Sequence, residues 1–415
     1  MRRFRRSIGT GCVVVTGTLL LTLGLATPAL ATPAPSFPSW GDVQQAAQNV
    51  TTKKAEITKL NGVVAYYQQA AAAAGKEAAI RDEDYLNAKN ALDAATSKAD
   101  KLQSQADAAK KRAAKSKSEA GQLAAQLARS NGSSLTMKLL LDSHNASNLL
   151  SVLGTMSKIS ESAANVFARA QQQENSAKSL TAQARAAESV RQTKSSTAAS
   201  ALATAKQAAA AAQAKVTAQD KPLALAAAQL ASLNGTSAST EAGYLAGVAW
   251  QAKQEAVKTP PPDGPPIVVT PPPGESTPPP PPTAPNTSKV DGAIAYARAQ
   301  LGKPYSLGGA GPNAFDCSGL TLMAYRAAGV YIGIHGSTSQ YNYLKSQNKL
   351  VPLSERQPGD LLWYSDGGST TATKYHVTLY IGNGQMIEAP YAGVPVRIAA
   401  IRFGDLVPYA GRPTG

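Results

Sequence analysis

Residues 313–329, NAFDCSGLTLMAYRAAG, decide the reading of this chain. Behind Cys317 comes an apolar series at helical spacing, Leu320, Met323, Ala324 and Ala327, which predicts a helix packed into a core. Asp316 sits just before the cysteine, so the thiol falls on the first turn. There the unpaired N–H groups and the positive end of the helix dipole favour a thiolate. A free cysteine titrates near about 8.5, and such a setting lowers it by roughly one to several units. A lone cysteine is more often buried and inert, so a chemical reading needs partners elsewhere in the chain.

Compartment strengthens it. Arg2, Arg3, Arg5 and Arg6, an apolar run from about Cys12 to Leu25, and Ala29-Leu30-Ala31 together predict a secretory signal over residues 1–31. A Pro- and Ser-rich tail, residues 32–41, follows. Of the two cysteines, only Cys317 would then remain, and one thiol cannot form an internal disulfide. An exported, unpaired thiol suggests a nucleophile. The formal net charge is +15, four of it from the signal arginines, which suits an anionic surface such as cell-wall polymers. Nucleic acid is a poor reading for an exported chain, and neither a recognition motif nor an aromatic–basic stripe supports it. The three histidines, His144, His335 and His376, have no metal-ligand spacing, and neither metal nor organic cofactor is expected.

Residues 42–258 are rich in Ala, Gln, Lys, Asp and Glu, a helix-former composition. Ile57, Leu60, Val64 and Tyr67 recur at three and four residues, and Tyr85, Leu92, Ala99, Leu102 and Ala106 follow heptad-like spacing. The helix should run from Asp42 to about Arg129 and break at Ser130-Asn131-Gly132-Ser133. An apolar stretch, Leu135 to Ile159, reads as two or three short helices. A second long helix runs from Ser160 to about Leu233 and stops at Asn234-Gly235. An antiparallel coiled-coil hairpin with an apolar tip is the simplest assembly, modestly stable because alanine buries little area. Residues 259–287 are a proline-rich, extended spacer.

Residues 288–415 have the size of one domain. Ser288 is a candidate helix cap; a glycine-rich loop, the Cys317 helix and a helix from Ser337 follow. Strands are expected at 360–364, 375–381, 385–388, 394–398 and 405–411. Helices first and strands later argue for an α+β fold with an antiparallel sheet. A cysteine nucleophile needs a base and a group to orient it. His376 begins a strand, and a turn at Gly382-Asn383-Gly384 would fold Glu388 back beside it. His335 is the rival base.

The segments KPYSLGGAGPNAFDCSG (303–319), GDLLWY (359–364) and YHVTLYIGNGQMIEAP (375–390) together resemble the NlpC/p60 family of papain-like cell-wall peptidases. The resemblance covers the last domain. It implies a papain-like α+β fold with Cys317 as nucleophile, His376 as base and Glu388 as the third, orienting residue, a position that is often His, Asn or Gln in the family. It implies that Tyr305 helps bind substrate and the oxyanion, and that Asp316 and Ser318 line a substrate subsite. The implied reaction is hydrolysis of a stem-peptide amide of peptidoglycan, between D-Glu or D-iGln and the diamino acid. The N-terminal half more loosely resembles coiled-coil regions of secreted wall hydrolases, which block the cleft or dock on a membrane-bound division complex. The apolar tip, 135–159, is the expected contact with a partner or with the protein's own cleft. The alternatives are an amidase or acyltransferase of the same Cys–His architecture, or an inactive wall-binding scaffold.

Overall fold

The computed structural model describes residues 36–129, 146–235, 238, 241, 242 and 285–415. The expected signal, residues 135–145 of the apolar tip, residues 243–258 and the proline-rich spacer lie outside the described residues.

The first helix, α1 (Trp40–Ala47), starts at a capping box. The Ser39 hydroxyl accepts the Asp42 N–H at 3.2 Å and the Asp42 carboxylate accepts the Ser39 N–H at 3.0 Å. The chain breaks at Gln48 and Asn49 before α2 (Val50–Arg129), so the expected single helix is two. Its partner α3 (Ala146–Asn234) is unbroken, where short helices had been expected up to residue 159. Between residues 146 and 159 the sequence has no proline, and its one glycine, Gly154, costs only about 1 kcal/mol relative to alanine. The helix ends where expected, with Gly235 at a φ of 69°.

The two long helices run antiparallel. Ser116 donates to Gln173 at 2.7 Å, while Leu60 and Val64 meet Ala226, Leu230 and Leu233 at the other end. Buried Ala99, Ala106 and Ala120 on α2, and Ala177, Ala184, Ala198, Ala205 and Ala212 on α3, keep seven-residue spacing. Alanine lets the backbones approach closely but contributes little area. The leucines at the α1 end, closed over by Val43, supply the larger apolar burial.

The C-terminal part has three helices, α4 (Thr287–Arg298), α5 (Cys317–Ala327) and α6 (Ser337–Ser346). Asn286, not Ser288, caps α4: its carbonyl accepts the Lys289 N–H, and the Ser288 hydroxyl donates to it instead. Six strands follow: β1 (Leu350–Pro352), β2 (Leu361–Ser365), β3 (Lys374–Gly382), β4 (Gln385–Glu388), β5 (Arg397–Ala400) and β6 (Leu406–Gly411). They form one sheet in the order β1-β6-β2-β3-β4-β5, every pair antiparallel. β1 escaped the sequence reading because it is three residues long and ends on a proline. The strand expected at 394–398 starts at Arg397, because Tyr391 and Val394 close a small bridge and Pro395 has no N–H to give a ladder.

The helices cover one sheet face. Ala293, Ala297, Leu320, Tyr325 and Leu344 pack there on Leu361, Trp363, Val377 and Leu379. On the opposite face Leu362, Tyr364, Tyr380 and Met386 pack under Ile401 and Leu406. The fold is thus α+β with an antiparallel sheet, preceded by a long helical region.

Candidate active site

Asp316 is the N-cap of α5. Its carboxylate accepts the Gly319 N–H at 2.6 Å and the Ser318 hydroxyl at 3.1 Å. A β-carbon on Gly319 would lie 2.0 Å from the Gly309 carbonyl oxygen, so only glycine lets the 305–313 loop pack on the helix start. The Asp316 N–H donates to that same carbonyl at 2.8 Å. These bonds fix Cys317 on the first turn, as expected, with Tyr305 alongside.

The third element of the site is the β3–β4 hairpin. Gly382, Asn383 and Gly384 all take positive φ at its turn. The hairpin brings Glu388 back to His376, with Nε2 2.9 Å from a carboxylate oxygen. A carboxylate only accepts, so Nε2 carries the proton in the neutral ring and Nδ1 is the basic nitrogen. Nδ1 has no hydrogen-bond partner among the described residues. The Cys317 sulfur lies 3.5 Å from the Ser337 hydroxyl and is not hydrogen-bonded to the ring.

Glu388 is fully buried and clamped by two arginines the sequence reading did not single out. Arg397 donates to one oxygen at 3.1 and 2.9 Å; Arg402 donates to both, at 2.9 and 2.7 Å. Burial would raise the Glu388 carboxyl, but Arg402, His376 and Arg397 outweigh it and hold it well below the usual carboxylate range. Burial lowers the His376 ring, and the bond to Glu388 offsets this only in part.

The Cys317 thiol departs from expectation. Only 5% of the residue is exposed. Burial, then Asp316 and Asp82, push the thiol well above its ordinary value, against the lowering expected at a helix start. Part of this comes from α2, which crosses the site and lays Asp82 and Glu83 over it. Asp82 accepts the Tyr305 hydroxyl. Glu83 accepts the Ser337 and Thr338 N–H groups, each at 2.9 Å, at the start of α6. Asn90 donates to the His335 carbonyl at 2.8 Å, and Lys76 pairs with Asp405 at 2.8 Å and Asp366 at 3.0 Å. The segment over the cleft is therefore within 75–90, along α2. Of the expected contact, the apolar tip, residues 135–145 lie outside the described residues.

His335, the rival base, is engaged elsewhere. Its Nε2 lies 2.8 Å from both Asp316 oxygens, and this bond raises the ring although burial opposes its charge. The expected subsite residues Asp316 and Ser318 are fully buried with α2 in place, and Tyr305 is held by Asp82. Sequence reasoning missed Asp82 and Glu83 because charges on an alanine-rich helix ordinarily face solvent. Arg397 was findable: the β4–β5 register sets it directly opposite Glu388.

A cysteine opening a helix that packs on an antiparallel sheet, with a histidine–carboxylate pair on adjacent strands, is a papain-like arrangement. Residues 302–408 match the NlpC/P60 family. Over 132 residues the chain is 39% identical to peptidoglycan endopeptidase RipA of Mycobacterium tuberculosis, covering 29% of this chain and 26% of RipA. It is 38% identical to peptidoglycan endopeptidase RipB of the same species over 136 residues, covering 30% of this chain and 52% of RipB. Between a quarter and about half of these relatives' length is thus matched. Among solved structures, the P60 domain of M. avium subspecies paratuberculosis antigen MAP1204 is 32% identical, covering 31% of this chain and 97% of that one, with a TM-score of 0.27.

Proposed function

We propose that the chain is an exported peptidoglycan hydrolase: a cysteine endopeptidase that cuts stem-peptide amides and is held off by its own helical hairpin. The observation that carries the reading is the His376–Glu388 pair, with Nδ1 unpartnered, on the strand against which the Cys317 helix packs. In the reaction Nδ1 takes the Cys317 proton and the thiolate attacks the amide carbonyl. The Cys317 N–H and the Tyr305 hydroxyl support the oxyanion, about 3 kcal/mol per donor. The imidazolium then protonates the departing amine, and water, deprotonated by the same ring, cleaves the thioester to acid and free thiol. By resemblance, the bond is the one between D-Glu or D-iGln and the diamino acid. The names of RipA and RipB support the substrate class.

Regulation by the hairpin is supported by the bonds from Asp82 and Glu83, which occupy Tyr305 and the start of α6 and leave the thiol buried and neutral. The division proposed is a signal over 1–31, a hairpin over 42–258, a spacer over 259–287 and the enzyme over 288–415, with the helix caps Ser39 and Asn286 extending the hairpin and the enzyme by a few residues. Digestion of purified peptidoglycan by the full chain and by residues 288–415, each with and without Cys317→Ala, tests the reading. New termini at the stem-peptide amide, read by mass spectrometry, greater release by the shorter piece and loss with alanine are expected. Termini at the sugar–peptide link would make the enzyme an amidase, and no Cys317-dependent product would leave a wall-binding scaffold.

A further inference from the structure

The Glu388 carboxylate has four charge-assisted bonds from two arginines besides its bond to His376, more than an orienting residue needs to stay ionised. Their layout is directional. Arg397 donates with two nitrogens to one oxygen alone, and stands opposite Glu388 in the β4–β5 ladder. Arg402 spans the carboxylate and shares with His376 the oxygen that faces Nε2. The rotation of the carboxylate is thereby fixed, and with it the oxygen offered to the ring.

Arg402 makes a second approach to the same imidazole. Its guanidinium lies 4.9 Å from the centre of the Tyr364 ring, and its backbone N–H donates to the Tyr364 hydroxyl at 3.3 Å. Tyr364 is the β2 neighbour of His376, and their ring centres are 5.6 Å apart. One arginine therefore holds both the carboxylate at the edge of the imidazole and the phenol beside it.

We propose that Arg402, assisted by Arg397, is a positioning residue for His376, acting through Glu388 and Tyr364 to keep Nε2 protonated and Nδ1 free to accept the Cys317 proton. This rests on the hydrolase reading for its purpose, though not for its geometry. Burial lowers the ring most, and both guanidinium charges add to this against Glu388, which favours the neutral base between transfers. Lysine keeps the charge but loses the planar fork.

The test is the titration of His376 in the full chain, followed by NMR with isotope-labelled histidine. His144→Gln and His335→Gln assign the three signals. Arg402→Gln is expected to raise the His376 midpoint by about one unit, as removal of a nearby like charge does. Arg402→Lys is expected to leave the midpoint near the wild-type value and to lower kcat rather than raise KM on peptidoglycan fragments. A folded Arg402→Gln protein with an unchanged midpoint overturns the proposal, as does an Arg402→Lys protein that retains full kcat. If Arg402→Gln does not fold, Arg397→Gln, at a side chain 37% exposed, decides by the same upward shift or its absence. A shift without any hydrolysis by the wild type would sink the hydrolase reading and keep the clamp; hydrolysis without a shift would do the reverse.

Discussion

The Glu83 carboxylate accepts the Ser337 N–H at 2.9 Å across 254 positions of sequence, tying the long helix α2 to the residue whose hydroxyl lies beside the Cys317 sulfur. Its other oxygen takes the Thr338 N–H. An outside residue thus caps α6, whose own preceding residue, Gly336, has no side chain to do so. Glu83→Ala leaves both N–H groups unpaired in the docked state. A buried donor left without a partner costs about 1–3 kcal/mol, so with two of them the open population should rise at least about tenfold. A thiol-reactive probe should label Cys317 correspondingly faster in Glu83→Ala than in the full-length parent. Equal rates would mean that α2 does not control access.

Glu388→Gln keeps the shape of the proposed orienting residue and removes its charge. The amide can present its NH2 to Nε2, favouring the wrong tautomer, and the two arginines lose their counter-ion. A fall in kcat of roughly 10²–10⁴-fold is expected, by the same logic as loss of the third member in other triads. Steady-state kinetics on residues 288–415 checks it; a loss confined to KM would remove Glu388 from the chemistry.

Much of the C-terminal part was legible because local signals agreed there. Asp316 ahead of Cys317 gave the helix start, and Gly382-Asn383-Gly384 gave the turn that pairs His376 with Glu388. What stayed hidden depends on docking. In α2 the acidic run at Asp82, Glu83 and Asp84 looks uniform in sequence, yet Asp82 and Glu83 are buried against Tyr305 and Ser337 and Asp84 is exposed. No periodicity distinguishes a carboxylate facing water from one facing another domain. The thiol was misjudged because its burial, and the charge of Asp82 from more than two hundred residues upstream, add to that of neighbouring Asp316.

Gly75 is an unusual residue for the interior of a long helix, where it costs about 1 kcal/mol relative to alanine. The docked geometry explains it: a β-carbon there would come within 2.3 Å of the Tyr391 ring. Gly75→Ala should therefore act in opposite directions on two measurements. The helical pair itself should become slightly more stable to heat, followed by circular dichroism, while Cys317 labels faster because Tyr391 must move. Unchanged labelling would show that the ring yields without loosening the contact.

Docking should also depend on pH. Burial lifts Glu83 from 4.5 to about 7, with the Thr338 and Ser337 bonds opposing it, and burial and Asp316 raise Asp82 in the same direction. A carboxyl that titrates higher when docked binds more protons docked than free. Its contribution to docking is complete below its free value and is lost as pH rises through the docked one, here between about 4.5 and 7. The facing groups on the other side are Tyr305, Cys317, Asp316 and His335. Protonated His335 adds attraction that disappears in the same direction, while Lys89 on α2 opposes that proton. The Lys76 pairs behave otherwise: Asp405 is held below its usual range and Lys76 above its own, so this contribution is lost in strong acid or strong base and is constant across this window. The hairpin should therefore close most firmly near pH 5 and loosen toward pH 8. Distances between spin labels on α2 and on the sheet, in a Cys317→Ala chain with new cysteines, would report it. A broader, longer distribution at pH 8 than at pH 5, abolished by Glu83→Gln with Asp82→Asn, is the expected result; a distribution independent of pH would show that these carboxyls carry no net charge change on docking.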